Sequence, residues 1–292
     1  MRAFDTFVCI DWSGQAVARP KGIALAWCHA GAEAPTLAAP AGGWSRQGVL
    51  EWLLGHADAG TSMIVGLDLS PALPFADCGA YFPGMDGSPE DARSLWAMIE
   101  QECAADDHLG ASSFPLKPAF RDHFRNQIGR QTLTGQAFGG GSGRFRVAEH
   151  RQRLAGVNPV SCFNLVGAAQ VGKSSLTGMR LLHRLNGRVP VWPFDRLPPR
   201  GPVIVEIYTS IAARAAGLRK GISKIRDGET LDRALAELGS ASHRPMARYD
   251  DHATDAILTA AWLRQVAHRS DLWNPAGLDD VAQTEGWTFG AV

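Results

Sequence analysis

Thr6-Phe7-Val8-Cys9-Ile10-Asp11-Trp12-Ser13-Gly14 is a short run of apolar and β-forming residues that ends on an acid and then meets a Ser-Gly turn. Such a run, bounded by turn residues, predicts a strand. Gly22 to Cys28 repeats the pattern beyond a polar turn, so the two predict an opening hairpin. Working outward, Thr36 to Ala39 reads as a third short strand. Ser45 caps a helix carrying Val49, Leu50, Trp52, Leu53 and Leu54 as far as Gly60. Met63 to Leu69 then predicts a buried strand with Asp68 near its end, stopped by Ser70-Pro71.

Pro and Gly become dense from Pro71 to Pro89. A helix is expected from Ser88, with Pro89 at its first position and Leu95, Trp96, Ile99 and Cys103 on one face. Residues 110 to 160, with Gly139-Gly140-Gly141-Ser142-Gly143 among them, show no regular period and read as a long loop or insertion. Regularity returns at Phe163 to Val166. A helix from Ser174 to Leu185, a buried strand from Pro202 to Tyr208 and helices from Leu231 to Leu238 and Asp251 to His268 follow. The order predicts an α/β fold with a core of residues 1–71 and 161–270, an insertion at 72–160 and a C-terminal tail at 271–292.

The 292 residues carry 45% hydrophobic and 20% charged residues, which excludes disorder as a description of the whole. A chain of this length buries roughly 75% of the surface its unfolded form exposes and needs no staple. Its five Cys are scattered and never spaced C-x-x-C, which argues against a disulfide framework or a zinc site. With no signal-like start and no run of about 18 apolar residues, the expectation is a cytoplasmic protein with no membrane partner. Lys plus Arg and Asp plus Glu are balanced at 29 each. Any electrostatic grip on a polyanion is therefore local. The stretch from Lys117 to Arg153 supplies a candidate, with eight basic residues against Asp122 and Glu149. Arg144 and Arg146 beside the glycine run are expected to bind substrate from a basic flap.

Three acids stand where buried strands end or a strong helix begins: Asp11, Asp68 and Asp255. Singly, each reads as a solvated strand end or a cap. Together, in this order, carboxylates from the first strand, the fourth strand and the last helix are suited to hold two Mg²⁺ or Mn²⁺ ions about 3.5–4 Å apart on a phosphodiester. Glu206 interrupts the apolar run Pro202-Val203-Ile204-Val205, as either a paired structural acid or a further catalytic one. Trp12 and Trp192 are suited to stacking on bases, with core packing the plainer role.

The element order resembles the family of predicted ribonuclease H-like nucleases. The likeness is carried by Cys9-Ile10-Asp11-Trp12-Ser13-Gly14, Gly66-Leu67-Asp68-Leu69-Ser70-Pro71, Val203-Ile204-Val205-Glu206-Ile207-Tyr208 and the helix start Asp250-Asp251-His252-Ala253-Thr254-Asp255. The resemblance implies a mixed five-stranded sheet flanked by helices and a nuclease with a carboxylate-held divalent metal, acting on DNA or RNA. By it, Asp11, Asp68 and Asp255 match the metal-binding acids. His252, three residues before Asp255, matches the His or Asp that resolvases place there, and Asp251 is the alternative on the same helix face.

Two other readings stand beside it. Gly167-Ala168-Ala169-Gln170-Val171-Gly172-Lys173-Ser174 satisfies G-x-x-x-x-G-K-[ST], which reads as a phosphate-cradling loop of a nucleotide-binding protein or ATPase or as a coincidental Gly-rich turn, the latter favoured by the 166 residues that precede it and by the lack of a downstream strand ending in Asp. Lys173 serves equally as a substrate-phosphate ligand in a nuclease. The strand, Asp and Gly-containing turn at the start also suit an actin-like or sugar-kinase-like phosphotransferase, although such proteins use two such domains.

Overall fold

The computed structural model describes residues 2–167, 170–218 and 224–292. The opening hairpin is β1 (Thr6–Asp11) and β2 (Ala24–His29), followed by β3 (Thr36–Ala38), α1 (Arg46–Asp58) and β4 (Met63–Asp68). Then come α2 (Ala92–Glu102), a small hairpin of β5 (Arg125–Ile128) and β6 (Gln131–Thr134), α3 (Val147–Leu154) and α4 (Val171–Leu185). The chain continues through β7 (Pro202–Glu206), α5 (Thr209–Ala215), α6 (Gly228–Glu237), α7 (Asp251–Val266) and α8 (Ser270–Trp273).

Five strands form one mixed sheet in the order β3-β2-β1-β4-β7, and β5 and β6 form a separate two-stranded ribbon. The pairs β1–β4 and β4–β7 are parallel, whereas β1–β2 and β2–β3 are antiparallel. This is the mixed five-stranded α/β sheet that the family resemblance implies. The strand carrying Asp11 lies directly beside the strand carrying Asp68.

Side chains alternate between the two faces of a strand, and both faces of this sheet are covered. Val8, Ile10, Val65 and Leu67 face one core layer, built with Val49 and Leu53 of α1, Leu95 and Trp96 of α2, and Leu176 and Met179 of α4. Phe7, Cys9, Ile64, Val203 and Val205 face the other, built from α5, α6 and the apolar length of α7. Central Gly66 lets α7 approach closely, since a Cβ there would stand 2.8 Å from Ile207 and 3.0 Å from Leu263. Burial at roughly 25 cal/mol per Å² of apolar surface makes these two layers the main source of stability.

Several boundaries differ from the sequence reading. Helix α2 starts at Ala92, because Asp91 accepts from Ser94 N at 2.7 Å while the Ser88 hydroxyl accepts from Phe82 N instead. Helix α4 starts at Val171, so Gly172-Lys173-Ser174 lies in its first turn. The stretch 72–160 contributes Tyr81, Phe82, Trp96, Phe114 and Phe120 to the same buried cluster as the strands. The stretch 271–292 is packed down too. Trp273, Trp287 and Phe289 are buried, and Phe289 N donates to Glu206 O, extending the sheet edge beside β7. Among the described residues, no helix is long and apolar enough to cross a membrane.

Candidate functional site

Asp11 and Asp68 are register partners at the ends of β1 and β4. Partners in a parallel pair project to the same face, here the face of Cys9 and Gly66 that α7 covers. Helix α7 begins at Asp251, with the Asp250 carboxylate accepting from Ala253 N. Its first turn brings His252 Nδ1 to 3.1 Å from Asp11 Oδ2. Asp255, three residues on, lies on the same helix face as His252.

The three acids also act on one another through their charges. Burial, then the charges of Asp11 and Asp255, hold the Asp68 carboxyl well above the usual carboxylate range. Burial and the charges of Asp11 and Asp251 push Asp255 up to about 7, against the pull of His252. Asp11 is raised by burial, and its hydrogen bond and charge interaction with His252 oppose the rise. The hydrogen bond to Asp11 in turn raises His252. Cys9, one pleat back on β1, is pushed up by burial and then by Asp11, Asp68 and Asp255 together.

The remaining candidate acids are engaged elsewhere. Asp251 pairs with Lys224 at 2.6 Å and with Arg226, which hold it below the usual carboxylate range, Arg226 foremost. His252, rather than Asp251, therefore meets Asp11. Glu206 is register partner of Leu67, which puts its side chain on the opposite face of the sheet from Asp68. There Arg146 Nη1 and Nη2 reach its two oxygens at 2.9 and 2.5 Å, and the Thr288 hydroxyl donates to it at 2.9 Å. Glu206 is thus a paired, buried acid, and it also borders the cleft that Asp68 lines.

Arg144 and Arg146 do not form an exposed basic flap. Arg146 is only 1% exposed and also pairs with Glu149. Arg144 is 7% exposed, pairs with Asp77 and donates to the carbonyls of Pro74, Ala80 and Tyr81. A local charge count cannot register partners supplied by distant segments, so structural cations look like free ones. Trp12 and Trp192 are buried as well. Trp12 donates to the Thr177 hydroxyl at 3.0 Å, and Trp192 packs edge-on against Trp273 and Phe289.

Beyond the ends of β1, β4 and β7 opens a cleft of about 470 Å³, lined by Trp12, Asp68, Lys173, Ser174, Tyr208 and His252 among others. Ligands of open α/β sheets bind outside the carboxyl ends of the strands. Lys173 belongs to this cleft and has no ion-pair partner among the described residues. Gly14 sets its position, since a Cβ there would stand 2.2 Å from the Lys173 carbonyl carbon. The loop after β1 and the first turn of α4 thus lie in contact. Of the 167–174 motif, Ala168 and Ala169 lie outside the described residues. The segment before it is not a strand of the main sheet. Asn164 makes a single bridge to Arg125, and Gly172 packs against Cys162 O. The strand that a phosphate-cradling loop follows is therefore missing from the described residues.

Among the described residues, no three His, Cys, Asp or Glu side chains are gathered tightly enough to hold a metal ion by themselves. The donor set nevertheless suits a hard cation. Mg²⁺ keeps several waters and uses one or two carboxylates together with substrate phosphate, and Asp11 and Asp68 supply such a pair. Gln15 and Gln152 line the cleft without having been singled out in the sequence, where nothing distinguishes them from ordinary loop and helix residues. No family model, curated protein or solved structure matches the chain.

Proposed function

We propose that the chain is a metal-dependent nuclease with a ribonuclease H-like core, hydrolysing phosphodiester bonds with Mg²⁺ or Mn²⁺ held by Asp11 and Asp68, with Asp255 as a further acid of the site. The observation that carries this reading is the register of Asp11 with Asp68 at the start of α7, whose His252 meets Asp11. It leaves mutually repelling carboxylates beside a cleft that Asp68 and His252 line, with His252 as the counter-charge in contact with Asp11. Burying such a group is costly unless something compensates it, and a divalent cation would supply that compensation.

When bound, the ion supplies charge neutralisation at the phosphoryl oxygens and a more acidic water. The chain's own residues do the rest. Asp11 and Asp68 would hold the ion, Asp255 would add a further negative charge, and His252 orients the Asp11 carboxylate. Lys173, across the cleft, binds a non-bridging oxygen of the substrate backbone. This reading keeps Lys173 as a phosphate ligand without requiring a nucleotide.

The test is cleavage of end-labelled DNA and RNA, single- and double-stranded, in Mg²⁺ or Mn²⁺ and in EDTA. Cleavage by the parent that EDTA and Asp68→Asn both abolish is expected. Activity that survives both, or no cleavage of any probe by the parent, overturns the proposal.

A further inference from the structure

The β5–β6 ribbon is a separate two-stranded sheet, anchored at its base and otherwise turned outward. Arg125 N donates to Phe163 O and Leu165 N to Arg125 O, so the base is tied to the segment that leads into α4. Every residue of β6 is exposed. Ile128 and Leu133 are large apolar residues 49% and 48% exposed. The register pairs Asn126 with Leu133 and Ile128 with Gln131, which puts both apolar side chains on one face of the ribbon.

The ribbon is continuous with the candidate active site. A second cavity of about 210 Å³ is lined by Asn126 and Gln127 of β5 and shares Gly14, Ser112 and Lys173 with the main cleft. The two cavities therefore adjoin at Gly14, Ser112 and Lys173, which places the ribbon next to the cleft that Asp68 lines. Residues 123–135 contain Arg125 and Arg130 and no Asp or Glu. Among the described residues neither arginine has an ion-pair partner, whereas Lys117 and Arg121 of the same basic stretch are paired with Glu102 and Asp122.

We infer that the β5–β6 ribbon is a docking element for a nucleic acid duplex, entering a groove of the duplex beside the scissile phosphate. This rests on the nucleic-acid half of the proposed function and not on the metal. Three features favour a duplex. A two-stranded ribbon fits a major groove about 12 Å wide. Arg, Asn, Gln and Thr are the side chains that contact phosphates and base edges, and the ribbon is composed largely of these. Non-specific grip on a single strand uses aromatic stacking platforms, and residues 125–134 contain no Phe, Tyr or Trp. Ile128 and Leu133 supply the apolar contact, of the kind that wedges against base steps or thymine methyls.

The experiment is fluorescence anisotropy of the full chain with a labelled DNA duplex, an RNA duplex of the same sequence and the corresponding DNA single strand, over a salt series in EDTA. The metal-free buffer separates this test from the metal reading. The variants are Arg130→Ala and Ile128→Ser with Leu133→Ser, all at exposed positions, with thermal melts verifying the fold. The parent is expected to bind at least one duplex more tightly than the single strand. Arg130→Ala is expected to weaken that binding roughly tenfold, as for loss of one charge-assisted contact, and to reduce the salt slope by about 0.9. Tight duplex binding that all variants retain overturns the ribbon inference alone, as does preference for the single strand. Binding to none of the probes overturns it together with the nuclease reading. A parent dimer that the Ile128→Ser, Leu133→Ser variant dissolves, with duplex affinity unchanged, assigns the ribbon to self-association and overturns the inference.

Discussion

His252 and Asp11 are joined across the sheet–helix boundary, the imidazole of the first turn of α7 lying 3.1 Å from the carboxylate that ends β1. The contact fixes the register of α7 on the sheet at its most charged point, and Asp255 follows His252 on the same helix face. The behaviour of the site in the absence of metal follows from it.

The first expectation concerns pH. An unperturbed Asp titrates near about 3.9, and Asp255 in the folded chain titrates at about 7 because of burial and the charges of Asp11 and Asp251. Between those values the folded state keeps a proton that the unfolded chain has released. Stability in metal-free buffer therefore falls as pH rises through this window and is unaffected by Asp255 below it. The raised His252 acts in the same direction, since its pairing is lost as pH rises. In EDTA, the Tm of Asp255→Asn minus that of the parent should grow from pH 5 to pH 8. A difference that stays constant counts against the clustered acids.

Metal should reverse that penalty. A ligand that binds only the folded state raises stability by RT ln(1 + [L]/Kd), roughly 2.7 kcal/mol at a hundredfold excess over Kd. Mg²⁺ or Mn²⁺ is expected to raise the Tm of the parent at pH 8, and Asp68→Asn should remove most of the gain. Equal gains in parent and variant place the ion elsewhere.

Arg146 separates structural from functional charge. Its removal strands Glu206 and Glu149 in the interior, and breaking a buried pair in this way costs about 3–5 kcal/mol. Urea unfolding should show a loss of that order for Arg146→Ala. Arg130→Ala, at an exposed site, should change stability by no more than about 0.5 kcal/mol. Similar small effects from both would contradict the burial of Arg146.

Gly14 tests the contact between the β1 loop and α4. A Cβ there would meet backbone atoms of Lys173 and Ser174 at 2.2–2.5 Å, which neither can yield without moving the helix start. Gly14→Ala should cost about 1–3 kcal/mol, the range for overpacking, and weaken substrate binding with it. Lys173→Ala should weaken binding with little loss of stability. A Gly14→Ala variant of unchanged stability would refute the contact.

Much of the fold is legible in the chain. β1, β2, β4 and β7 are apolar runs bounded by polar, Gly or Pro residues, and α7 is a long helix with its own cap. The order of elements, and the places of Asp11, Asp68 and Asp255 at their ends, follow from that pattern. What is hidden depends on pairing. Glu206 lies four residues into its strand, and only the register of β4 with β7 reveals that it faces away from Asp68, since a one-residue shift reverses the face. The ribbon is invisible to periodicity because its four-residue strands bury no face. Arg144 and Arg146 look like surface charge until Asp77, Glu149 and Glu206 are brought to them. Asp251 and His252 are neighbours in sequence about 100° apart around a helix, and only the docking of α7 decides which meets Asp11.

The most direct test is an anomalous difference map from a crystal of the parent soaked in Mn²⁺. The account predicts a peak against the carboxylates of Asp11 and Asp68 at the mouth of the cleft, lost in crystals of Asp68→Asn. A map with no peak at these acids, or with its peak at other residues, would contradict it.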